Sequence, residues 1–122
     1  MAKLIVLVDD DETNNFICKK MLSIFDPTIE TREFMDPTAA LQFLNESNSE
    51  KISLLLLDLN MPKLNGWQFL EKMIDNQVAS NIVILSSSID PNDVQKAKNE
   101  SKVKDFWTKP LTLDMLGKYF AD

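Results

Sequence analysis

Among the 122 residues there is no histidine and only one cysteine. No apolar run approaches the roughly 20 residues that a membrane-spanning helix needs. The missing histidines exclude imidazole acid–base catalysis, His metal ligands and a phosphohistidine on this chain. Cys18 alone can make neither an internal disulfide nor a thiolate zinc site, and a single thiol suits a reducing compartment. Positive charge is also in deficit: 13 Lys and Arg stand against 19 Asp and Glu, a net charge of -6. A nucleic-acid footprint would need a concentrated basic face, so that class is disfavoured. The start MAKLIVLVDDD meets acids at once and does not read as a signal peptide. No internal repeat, linker or low-complexity segment is visible. The expectation is one cytoplasmic domain over residues 1–122, with one core and only hard oxygen ligands to offer a cation, which favours Mg2+ or Ca2+.

Three short apolar runs are present: LIVLV at 4–8, LLLL at 54–57 and IVIL at 82–85. Their brevity and continuous apolarity predict strands covered on both faces, as in a parallel sheet. Weaker strands are expected at 29–34 and 103–107, the first more polar and so at an edge. Helical spacing between them places Ile17, Met21, Ile24 and Phe25 on one face, Ala40, Leu41 and Leu44 on a second, and Leu70, Met73 and Ile74 on a third. Asp36-Pro37 and Asp90-Pro91 each read as an N-cap with proline at the first helical position. The helix at 91–100 has little apolar surface beyond Val94 and Ala97 and is expected to be loosely held. A last helix from about 112 carries Met115, Leu116, Tyr119 and Phe120, with Gly117 lowering its stability. Strand and helix alternate five times, which predicts an α/β, doubly wound parallel sheet with right-handed crossovers.

In such sheets, ligands bind beyond the carboxyl ends of the strands. Those ends carry Asp9, Asp10 and Asp11 after the first strand and Asp58 after the third. Ser86 stands at the end of the fourth, and Lys109 precedes Pro110 after the fifth. Carboxylates this close repel by about 4 kcal/mol per pair at 4 Å and an effective dielectric of 20. A divalent cation that keeps several waters would offset this, which suits Mg2+. The pattern reads as a site for phosphoryl transfer, with Asp58 the nucleophile that becomes an acyl phosphate. Lys109 would neutralise one phosphoryl oxygen and Ser86 would hydrogen-bond another.

The segments LIVLVDDDE, LLLLDLNMPKLNGW, ILSSS and FWTKP, in that order at successive strand ends, resemble the receiver domain of two-component response regulators. The resemblance covers nearly the whole chain. It implies a flavodoxin-like five-stranded sheet with alternating helices and strand order 2-1-3-4-5. It further implies Asp58 as phosphoacceptor, Asp9 and Asp10 as acids of the Mg2+ site, and Asn60 as the residue lending that site a backbone carbonyl. Ser86 matches the switch hydroxyl, Lys109 the phosphate-contacting lysine, and Phe106 the aromatic switch position, where many members carry tyrosine. A cis bond before Pro110 is implied as well. The text NESKVKDF departs from the glycine and alanine often found ahead of the fifth strand, so that loop is expected to differ in shape.

Blander readings stand beside these. Acidic runs are often just solvated surface, Lys109 could be an ordinary surface lysine, and Ser86 to Ser88 could form a turn. Trp67 and Phe69 read as helix-packing residues, Cys18 as inert, and Trp107 as pointing away from Phe106 toward either core or partner. The leading functional expectation is a stand-alone receiver, a phosphoacceptor signalling domain rather than an enzyme. It would be served by a sensor histidine kinase or phosphotransfer protein and would signal through protein–protein contacts, without nucleic acid or membrane. The alternative is an Mg2+-dependent aspartyl-nucleophile phosphatase of the haloacid dehalogenase type. That class wants a second acid two residues after its nucleophile, where this chain has Asn60. A flavodoxin-like cofactor carrier would need a phosphate loop after the first strand, and DDDETNN would repel a phosphate.

Overall fold

The computed structural model describes residues 3–46, 52–73, 81–88 and 90–121. The strands are β1 (Leu4–Val8), β2 (Glu30–Phe34), β3 (Leu54–Leu57), β4 (Ile82–Ser86) and β5 (Val103–Thr108). They alternate with α1 (Glu12–Phe25), α2 (Pro37–Glu46), α3 (Gly66–Lys72), α4 (Pro91–Asn99) and α5 (Leu113–Tyr119). All pairings are parallel and the order is β2-β1-β3-β4-β5, as the sequence pattern and the resemblance together implied.

Every residue of β1, β3 and β4 is buried, because helices cover both faces of the sheet centre. Alternate side chains feed two cores. Val6, Val8, Leu55, Leu57, Ile82 and Ile84 meet Ala40, Leu41, Leu44, Phe69 and Leu70 of α2 and α3. Ile5, Leu7, Leu54, Leu56, Val83 and Leu85 meet Cys18 and Leu22 of α1 and Leu116 of α5. β2 lies at one edge, as its polarity predicted; β5 forms the other.

The inward face of α1 differs from the expected one. Its buried residues are Asn14, Asn15, Cys18 and Leu22. Met21 and Phe25 pack at the side of that core, Ile17 is only half-buried, and Ile24 is 57% exposed. Two polar residues head the true stripe, so a search for apolar periodicity settled on a neighbouring face. On α2 and α3 the expected residues are buried, except that Ile74 lies outside the described residues.

The caps follow the local chemistry. Asp11 accepts from the backbone N–H groups of Thr13 and Asn14, Asp36 from Thr38, Asp90 from Asn92, and Thr112 from Met115. α4 begins at Pro91 and buries only Ala97, in keeping with its thin apolar face. The turn ahead of β5 is tied down by Lys102, whose ammonium donates to the Leu70 carbonyl at 3.1 Å.

Candidate functional site: an acidic pocket at the strand ends

Main-chain bonds carry the sheet one residue past its strands and set the pocket's residues in register. Asp9 N–H donates to the Phe34 carbonyl at 3.0 Å, Asp58 N–H to Val8 at 3.0 Å, and Lys109 N–H to Ser86 at 2.9 Å. These residues come from distant parts of the chain, and the parallel topology delivers them to one rim. Asp9, Asp58 and Ser86 are buried; Asp10 is half-buried beside them.

Asp9, Asp10 and Asp58 each present a carboxylate oxygen, and the three oxygens lie within 4.8 Å of one another. Three hard, anionic oxygens on a solvent-reaching rim fit a divalent cation that retains water. Lys109 bridges two of them: its Nζ is 2.8 Å from Asp9 Oδ2 and 3.5 Å from Asp58 Oδ1. The repulsion expected between the acids is therefore partly offset within the chain. Burial, and secondarily the Asp9 charge, push the Asp58 carboxyl up to about 6, against the opposing pull of Lys109 and a backbone hydrogen bond from Asn60. Partial burial pulls the Lys109 ammonium downward. Its hydrogen bond to Asp9 and the charges of both acids outweigh that, and the net shift is upward. The Lys109–Pro110 peptide is cis, matching the expectation.

Asp58 also depends on a close backbone approach. A Cβ on Gly66 would sit 2.7 Å from the Asp58 carbonyl oxygen and 2.9 Å from Leu59 Cδ2, so only glycine lets α3 start there. Asn65 and Gln68 form a capping box around that start.

On the far side, Ser86 Oγ accepts from the Ser88 N–H at 3.1 Å. Ser88 Oγ donates to Asp93 Oδ2 at 2.8 Å, and Trp67 Nε1–H donates to Asp93 Oδ1 at 3.4 Å. Lys96 lies over the Trp67 ring at 4.9 Å. A continuous polar path thus links the end of β4 to the first turn of α4 and to α3. Trp67 packs on the core through one side of its ring and joins this path through its N–H, while Phe69 is wholly buried, so both are packing residues.

Phe106 and Trp107 point to opposite faces, as strand alternation requires. Phe106 is half-buried against the core under α2 and α3. Trp107 belongs to the other core, edge-on to Tyr119 and donating to Asp105 Oδ2 at 2.9 Å, which settles it as a core residue. Burial, then the Asp9 charge, push the Cys18 thiol up to about 12, leaving it unreactive as expected.

Sequence reasoning located Asp9, Asp10, Asp58 and Lys109, and the fold brings these four together. Asn60 is exposed two residues beyond Asp58, and Phe106 is half-buried on β5, packed against the core. Asn14 and Asn15 were missed, although their spacing to Cys18 and Leu22 is that of an inward helical face. The Asp93–Trp67 link was missed too, since nothing in the text pairs residues so far apart.

Comparison with known proteins agrees with this geometry. Residues 5–121 match the response regulator receiver domain family. The response regulator Rcp1 of Synechocystis is 32% identical over 95% of this chain and 82% of its own length. The sensor protein EvgS of Escherichia coli O157:H7 is 27% identical over 96% of this chain, which spans only 9% of that protein. A two component response regulator from Cytophaga hutchinsonii superposes with a TM-score of 0.87 at 30% identity, covering 98% of this chain and 94% of that one. The chain belongs to the response regulator receiver domain family. Receiver domains are signalling domains phosphorylated by histidine kinases or phosphotransfer proteins, and they typically bind Mg2+ at an acidic pocket. No helix among the described residues is long and apolar enough to cross a membrane.

Proposed function

We propose that the chain acts as a stand-alone cytoplasmic receiver in a phosphorelay, accepting a phosphoryl group on Asp58 and signalling through protein–protein contacts. The observation that carries this reading is the Asp9–Lys109–Asp58 arrangement at the strand ends, with an ammonium 2.8 Å and 3.5 Å from two buried carboxylates. An Asp58 carboxylate oxygen attacks the phosphorus of a phosphohistidine on a histidine kinase or phosphotransfer protein. The new P–O bond forms as the P–N bond breaks, and the leaving imidazole nitrogen keeps the electron pair. Asp9, Asp10, Asp58 and the Asn60 main-chain carbonyl would hold Mg2+, which when bound screens the negative charge of the incoming group.

Lys109 turns from Asp9 toward a phosphoryl oxygen, and the Ser86 hydroxyl donates to another. Ser86 Oγ cannot move without disturbing the Ser88–Asp93–Trp67 path, so α4 registers the event. Phe106, flanking the grooves on either side of β5, fills the aromatic switch position without a hydroxyl to bond. Hydrolysis of unrelated phosphate esters is not expected, because Asn60 stands where an aspartyl phosphatase needs its general acid.

The test is incubation with acetyl phosphate and Mg2+, followed by intact-mass measurement. One added phosphoryl group is expected on the unmodified protein and none on Asp58→Asn; undiminished labelling of that variant would remove Asp58 from the role. Hydrogen exchange with and without beryllofluoride should show altered protection between residues 86 and 110.

A further inference from the structure

α1 begins by burying two amides where a helix against a sheet ordinarily buries carbon. Asn14 is 7% exposed and Asn15 fully buried. Both donate to the same residue, but to different parts of it. Asn14 Nδ2 donates to the Asp9 carboxylate, at Oδ2, over 2.8 Å. Asn15 Nδ2 donates to the Asp9 main-chain oxygen over 2.9 Å. The other carboxylate oxygen of Asp9, Oδ1, accepts the Asp11 N–H at 2.9 Å. Asn14 also touches Cys18 Sγ at 3.7 Å, a weak contact to a protonated thiol.

Asp9 Oδ2 therefore has two donors, Asn14 and Lys109, and they differ in what else they do. Lys109 is shared with Asp58, and its long, flexible side chain is the group expected to swing toward a phosphoryl oxygen. Asn14 has no such second duty. It is short, lies on a fourteen-residue helix capped by Asp11, and stays where α1 puts it. When Lys109 leaves, Asn14 is the donor that remains on a buried carboxylate oxygen. Without it, Oδ2 would lack a partner and the carboxylate would be held through Oδ1 alone, by the Asp11 N–H.

We propose that Asn14 is a positioning residue for the acidic pocket: it holds the Asp9 carboxylate in its metal-facing orientation independently of where Lys109 sits. This rests on the Mg2+-dependent phosphoacceptor reading above. Asn15, bonded to the backbone, serves the fold of the β1–α1 turn and not the orientation of the carboxylate.

The experiment compares unmodified protein with Asn14→Leu, Asn14→Ala and Asn15→Ala, measuring Mg2+ affinity by titration calorimetry, melting temperature without metal, and labelling rate by acetyl phosphate at saturating Mg2+. A hydrogen-bonding partner of a ligating carboxylate is worth about tenfold or more in metal affinity. Both Asn14 variants should therefore weaken Mg2+ binding by about tenfold. Asn15→Ala should lower the melting temperature while its Mg2+ affinity stays within about twofold of the original. A folded Asn14 variant that binds Mg2+ as tightly as the unmodified protein overturns the proposal and leaves Asn14 a core filler. A second measurement needs no substitution. In 15N-labelled unmodified protein, the Asn14 side-chain amide should keep its hydrogen-bonded shift when beryllofluoride and Mg2+ are added and Lys109 moves. Collapse of that shift to the solvent-exposed range also overturns the proposal. If the unmodified protein neither binds Mg2+ nor labels on Asp58, the phosphoacceptor reading itself has failed, a different result from either of these.

Discussion

α1 and α4 both start at an aspartate cap and both lie against the parallel sheet, yet they are attached by opposite means. α1 is fourteen residues long and sinks Asn14, Asn15, Cys18 and Leu22 into the interior, with α5 packed beside it. α4 has nine residues and buries Ala97 alone. What holds its first turn is polar and peripheral: Ser88 and Trp67 on Asp93, and Lys96 over the Trp67 ring. One helix is anchored by volume removed from water, the other by a few replaceable hydrogen bonds. Anchorage of the first kind fixes a pocket, whereas anchorage of the second kind can be exchanged when a neighbouring hydroxyl moves. The acidic pocket sits between them, with Asp9 supported from α1 and Ser86 leading out to α4.

The comparison breaks most visibly under truncation. Leu22→Ala on α1 should cost about 2–5 kcal/mol, the range for a fully buried leucine. Val94→Ala on α4, only half-buried, should cost about 1 kcal/mol or less. Urea denaturation of the two variants measures both; equal losses would mean that α4 is as firmly packed as α1.

A smaller effect is expected in the pocket itself. With the Asp58 carboxyl raised to about 6 in the folded state, the folded protein binds this proton more tightly than the unfolded chain does. The sign follows from linkage: without metal, stability falls as pH rises from about 4 to about 6, and the charged carboxylate remains a burden at neutral pH. Asp58→Asn should remove that slope and stabilise the metal-free protein at pH 7 by about 1–3 kcal/mol. Thermal melts across this pH range in the presence of a chelator provide the check. A steeper slope in the variant would contradict it.

The smallest effect sharpens the contrast. Asp93→Ala severs both hydrogen bonds that tether the first turn of α4, and should lower global stability by only about 0.5–1.5 kcal/mol. Hydrogen exchange of residues 91–99 should nevertheless accelerate markedly while residues 12–25 keep their protection. If α1 loosens equally, the two helices unfold as one unit and the distinction drawn here is wrong.

Much of this molecule was legible before folding. Runs such as LLLL at 54–57 favour strands buried on both faces, because they are too short for helices and nothing polar interrupts them, and their repeated alternation with helices leaves few topologies. Asp58 stood out because a carboxylate terminating such a run is too costly to be idle. The β-edge position of residues 30–34, the thin buried face of α4 and the proline-assisted caps followed from local composition alone. Tertiary structure decided the rest. The inward face of α1 is headed by asparagines, so it became recognisable only once Asp9 was seen to need their amides. Trp107 could have faced either way, and the position of Tyr119 across the core settled it. Gly66 is required by a carbonyl 2.7 Å from its absent Cβ, a contact between backbone segments that no residue pattern encodes. The sharing of Lys109 between two acids, like the Asp93–Trp67 link, exists only because parallel strands bring remote residues to one edge. Periodicity reports how each segment meets an average interior; which polar groups then find one another depends on distances that only the assembled sheet defines.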